Sequence, residues 1–91
     1  MKREIYIPAG LHQDTENLIV QFAEALAEKL RKAEIKYDYA NEWKTDAYWR
    51  DKCMDDLIDH LAKGDPRDVA IYCAFMWHHK WKTSINAVIT R

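Results

Sequence analysis

The run Gly64-Asp65-Pro66-Arg67-Asp68 constrains the fold of this chain more than any other stretch. Proline has no amide hydrogen and fixes its own φ, so it interrupts a helix everywhere except in the first turn, where that donor has no partner anyway. Glycine suits the position just past a helix end, and an aspartate directly before the proline can cap the next helix. The run therefore separates two helices. Gly64 closes the first, Asp65 is the N-cap of the second, Pro66 its first residue, and Asp68 a favourable negative charge in its first turn. Beyond it, Val69, Ala70, Ile71, Tyr72, Cys73, Ala74, Phe75, Met76 and Trp77 are apolar nearly all round, the pattern of a helix covered on several sides. That helix, about residues 66–81, is predicted to be the central element.

Two further helical patterns precede it. Asp14 or Thr15 can cap a helix over about 15–37, with Leu11 as a staple. In it Leu18, Ile19, Phe22, Leu26, Leu30, Ala33 and Tyr37 recur at three- and four-residue steps. Arg31, Lys32 and Lys36 fall near its end, where the helix dipole favours cations. Thr45 or Asp46 can cap a helix over about 46–62, whose stripe is Trp49, Cys53, Leu57 and Leu61 with Met54 and Ile58 beside them. Residues 38–44 break the period and read as a loop carrying Tyr39 and Trp43. Ile5-Tyr6-Ile7, ahead of Pro8 and Gly10, reads as an extended arm that can pair with Ile85, Val88 and Ile89 of the tail as a small β-ribbon. The expected architecture is an all-α, compact three-helix domain over residues 1–91.

Composition narrows the function classes. Fourteen Lys and Arg against fifteen Asp and Glu give a net charge of −1, which provides no overall basic field for a phosphate backbone. Four Trp, five Tyr and two Phe are many for a domain that buries only about 60% of its unfolded surface, so some are expected at the surface or at an interface. No apolar run of signal-peptide or membrane-spanning length occurs, and the chain is expected to be soluble and cytoplasmic. Cys53 and Cys73 are expected as free thiols that fill core space.

The candidates for chemistry are few. On a helical wheel Asp51, Asp55 and Asp59 lie opposite the Trp49/Cys53 stripe, and Glu24 and Glu28 opposite the Leu18/Phe22 stripe, as an ordinary solvated face. Asp56 borders the stripe with His60 one turn on, either a proton-transfer or ligand pair or a local hydrogen bond at a helix edge. Lys29 falls within the apolar arc. It either snorkels, faces an anionic ligand or a partner's carboxylate, or pairs with Asp56. His78 and His79 diverge by about 100° and have no partners at metal-ligand spacing, so no metal site is expected. A phosphate-binding glycine loop and a nucleophile elbow are both lacking. The helix after Gly64 presents apolar residues where base-reading side chains would be needed, which argues against sequence-specific DNA binding.

Two stretches, residues 33–43 (Ala-Glu-Ile-Lys-Tyr-Asp-Tyr-Ala-Asn-Glu-Trp) and residues 59–79 from Asp59-His60-Leu61 to His78-His79, resemble a family of short proteins of tailed phages and prophages, over about residues 18–81. Their order also looks like the helical core of phage dATP/dGTP diphosphohydrolases, relatives of the MazG-type pyrophosphohydrolases. That likeness implies an all-α oligomer that binds nucleotide, with Lys36, Tyr37 and Trp43 on matching positions and Mg²⁺ as cofactor. The chain departs from the MazG pattern of Glu-Glu-x-x-Glu followed by Glu-x-x-Asp: it has Asp55-Asp56-x-x-Asp59 and then Asp65-x-x-Asp68, much closer together.

Two functions follow as expectations. One is a non-catalytic, self-associating phage-type accessory protein that binds a host protein of defence or replication, with Lys29, Lys36, Tyr37, Tyr39, Trp43 and Tyr48 as ligand or partner contacts. The other is a nucleotide-binding or pyrophosphohydrolase-like protein, active or degenerate, with Asp56 and His60 as its catalytic candidates.

Overall fold

The computed structural model describes residues 3–84 and contains four helices: α1 (Gln13–Tyr37), α2 (Glu42–Thr45), α3 (Arg50–Lys63) and α4 (Pro66–His79). The all-α expectation holds. No residue from 3 to 84 lies in a strand, and Ile85, Val88 and Ile89 of the expected ribbon fall outside the described residues.

The punctuation around Gly64 is built as its chemistry dictates. Gly64 ends α3 in the left-handed conformation at φ 91°, the Asp65 carboxylate accepts the Arg67 N–H at 2.9 Å, and Pro66 opens α4. Other boundaries move. His12, not Asp14 or Thr15, caps α1, its Nδ1 accepting the Asp14 N–H at 3.0 Å. Asp46 does not cap the next helix, because its carboxylate accepts the Tyr48 N–H at 2.8 Å and closes a turn, which delays α3 to Arg50. The expected loop holds a single helical turn, α2. Finally, α4 stops at His79 rather than residue 81. Lys80 adopts φ 60°, and the Trp81 N–H returns to the Met76 carbonyl at 2.9 Å, folding the Trp81 ring back over Trp49.

The packing centres on α4, against which α3 lies most extensively, then α1, then α2. The buried side chains among the described residues are Cys53, Met54 and Leu57 from α3 and Ile71 and Met76 from α4. Each contributes roughly 1.5–3 kcal/mol of apolar burial for the larger side chains. Not all of α4 is covered. Trp77 is 83% exposed, since it shares with Ala74 a face that no other element among the described residues reaches. Nor does α1 bury any residue. The C-terminal part of its stripe reaches α4, while Leu18, Ile19 and Phe22 stay exposed.

Candidate functional site

The ends of α2, α3 and α4 assemble an aromatic cluster. The Trp43 ring stacks on Phe75 (centroids 5.5 Å apart, planes at 21°) and meets the edge of His78 at 5.0 Å. Its backbone carbonyl accepts the Trp49 Nε1–H at 3.3 Å and the His79 Nε2–H, so α2 is tied to both neighbouring helices by groups that a four-residue helix cannot satisfy itself. Trp49 stands edge-on to Phe75 at 5.5 Å, and Tyr72 edge-on to the same ring at 6.2 Å.

Two concavities share this cluster, with Tyr39, Tyr72 and Phe75 lining both. The first is an aromatic cleft of about 380 Å³ walled by these three with Trp43 and Trp49; among the described residues its rim carries Glu42, Asp46 and Asp56 against one cation, Lys52. The second is a groove of about 590 Å³ between α1 and the α3–α4 pair. Its floor is Leu30, Ala33 and Ile71, and its walls carry Lys29, Lys32, Lys36, Lys63 and Arg67 against Glu28 and Asp68. In a chain of net charge −1, an acidic pocket and a basic groove thus lie side by side.

The candidate residues distribute unevenly over the two. Tyr39 and Trp43 line the aromatic cleft, and Lys36 and Tyr37 line the groove, where the Lys36 ammonium sits 5.2 Å over the Tyr37 ring. Tyr48 lines neither and is 97% exposed. Lys29 is already engaged: its Nζ lies 2.7 Å from Asp65 and 3.1 Å from Asp68, so it clamps α1 to the first turn of α4 and does not pair with Asp56. Arg67 and Lys29 hold the Asp65 carboxyl well below the usual carboxylate range, and Asp65 and Asp68 in turn raise the Lys29 ammonium.

Asp56 and His60 do not form a carboxylate–imidazole pair. The Asp56 carboxylate takes the Lys52 ammonium at 2.9 Å and faces the cleft, while the His60 Nδ1–H donates to the Asp56 backbone carbonyl at 2.7 Å and its ring, 5.0 Å from Tyr72, lies in the groove. Burial, reinforced by the Asp56 charge, pushes the Tyr72 phenol up to about 12, and burial pushes the Cys53 thiol to about 12. Both stay protonated at neutral pH and offer no nucleophile. Among the described residues no three His, Cys, Asp or Glu side chains converge so as to hold a metal ion. His78 and His79 are spent on Trp43, and His79 also stacks on Trp81 at 4.2 Å.

The chain matches no protein-family model, no curated protein and no solved structure.

Part of that geometry carries no signal in the sequence. Trp49, Tyr72 and Phe75 were assignable to apolar stripes, but that they wall an open cleft depends on α2 standing off from α3. Glu42, Asp46 and Lys52 carry no periodic signal. Lys32, Lys63 and Arg67 come from three helices and meet only in the folded chain. No helix among the described residues is long and apolar enough to cross a membrane.

Proposed function

We propose that this is a small, non-catalytic accessory protein of the phage type, which acts by receiving a side chain of a host protein in the aromatic cleft. The observation that carries this reading is the cleft itself: five aromatic rings open to solvent under an acidic rim. Aromatic faces attract cations, and rigid rings bind with little loss of rotamer freedom, so an arginine or lysine of the partner fits the walls and the rim together. The engaged state of Asp56, His60 and Lys29 supports a binding role over catalysis, and the two phage-like stretches support the host setting.

The test is an indole NMR titration. Trp43 and Trp49 supply wall resonances, Trp77 an external control, and the probe is an arginine- or lysine-bearing peptide amide. Selective shifts of Trp43 and Trp49 that are lost in Glu42→Lys/Asp46→Lys are the expected result, followed by capture of one host protein by the wild type but not by this folded variant. Pyrophosphate release from dNTPs with Mg²⁺, abolished by Asp56→Ala, would transfer the site to nucleotide chemistry and overturn the proposal.

A further inference from the structure

Helix α1 is divided by charge as well as by burial. Residues 13–28 carry Asp14, Glu16, Glu24 and Glu28 and no base, whereas residues 29–37 carry Lys29, Arg31, Lys32 and Lys36 and one acid, Glu34. The N-terminal part bears the exposed Leu18, Ile19 and Phe22 with Asp14 one turn ahead of Leu18, while Glu24 lies on the opposite side of the helix and Glu28 lines the groove. The basic part forms one wall of the 590 Å³ groove, whose floor is apolar. Among the described residues, Lys32, Lys36 and Lys63 of that groove form no ion pair. The molecule thus displays an apolar helical ridge with Asp14 one turn before it and a basic, apolar-floored groove, neither of them covered by the other described residues.

We infer that the two surfaces fit each other between copies: the chain forms a two-fold dimer in which the α1 helices run antiparallel, the Leu18/Phe22 ridge of each lying in the basic groove of the other. An isologous pair requires one patch to be self-complementary about the axis. Antiparallel α1 meets that requirement, because reversing an acidic-to-basic helix sets Asp14 against Lys36 of the second copy and Lys36 against its Asp14. The axis then falls near Ala25, on the same face as Leu18 and Phe22, where a small side chain lets the two helices approach. Opposed helix dipoles favour the same direction. At 25 residues α1 is about 37 Å long. With the exposed Ile5, Tyr6 and Leu11 ahead of it, it offers a face of the order of the ~800 Å² per partner that a stable association buries. The inference uses no residue of the acidic rim, so it stands or falls separately from the proposed function.

Light scattering after size exclusion tests it at low ionic strength. The wild type is expected at twice the 10.8 kDa chain mass. Asp14→Lys alone and Lys36→Glu alone each place two like-charged pairs across the axis and should weaken the dimer by about tenfold or more. Mixed in equal amounts they should dimerise again, since every reversed charge then meets its complement. Leu18→Asp should yield a monomer of unchanged helix content, because Leu18 is 60% exposed in the single chain. Glu42→Lys/Asp46→Lys should leave the dimer intact. A wild type that stays monomeric at all concentrations, an assembly that grows beyond two, or a mixture no tighter than either variant alone would overturn it.

Discussion

The α3–α4 pair and α1 are made of similar material and end in different states. The shorter helices, 14 residues each, contribute all five side chains buried among the described residues, while the 25-residue α1 contributes none. Length and amphipathicity make a helix; a facing surface makes a core. The α3 stripe meets Ile71 and Met76 across a turn of one glycine and one aspartate, so its burial is obtained at little cost in loop closure. The α1 stripe meets α4 only over its basic end, through Leu30, Ala33 and the Lys29 clamp, and its acidic end extends past the domain. An apolar stripe that the described residues leave uncovered marks a surface for another molecule.

The comparison can be broken most forcefully from the packed side. Met76 is fully buried, so Met76→Ala should destabilise the chain by about 2–5 kcal/mol in urea denaturation. A loss under about 1 kcal/mol would show that α3–α4 is not the core.

Gly64→Ala tests the link that lets α3 meet α4. A Cβ there would meet nothing within 4 Å, so its cost of about 1–2 kcal/mol is that of a left-handed backbone alone. A neutral effect would mean that the turn rearranges freely.

The Asp65 clamp joins the two regions and gives them a pH dependence. Asp65 titrates below its unfolded value, so its stabilisation is present above about pH 4 and is lost as pH falls through the depressed folded value. Lys29 titrates above its unfolded value; its share is present below about pH 10.4 and lost as pH rises further. Asp65→Asn keeps the N-cap but loses the charge. The stability gap to wild type should be constant from about pH 5 to 9 and close below about pH 4. A gap that persists in acid would assign the effect to packing instead.

The smallest effect belongs to the open side. Leu18→Ala should change the stability of the single chain by no more than about 0.5 kcal/mol at concentrations where no association occurs.

How much of this was legible in advance follows from the range over which each feature is determined. The Gly64–Asp65–Pro66 boundary is set by three adjacent residues, and it was readable. So was the oddity of Lys29, a charge inside an apolar arc. Its partners were not, because whether it meets Asp56 or Asp65 depends on how α1 is rotated against α4. Helix α2 was invisible to periodicity: one turn has no period, and it is held by Trp43 on Phe75 and by bonds from Trp49 and His79. The loop over residues 38–44 is recognisable by Tyr39 and Trp43, yet the nearby Tyr48 lines neither concavity, while Trp49, a member of the apolar stripe, walls the cleft. Charge division along α1 is written plainly in the sequence, but its meaning depended on knowing that the acidic part is uncovered.

Hydrogen exchange measured at two protein concentrations tests the central claim most directly, namely that α1 carries an interface while α3 and α4 carry the core. Between about 1 µM and about 100 µM, amides of residues 13–22 should gain tenfold or more in protection while those of α3 and α4 keep theirs. Protection in α1 that is the same at both concentrations, or that rises and falls together with α3 and α4, would contradict the account.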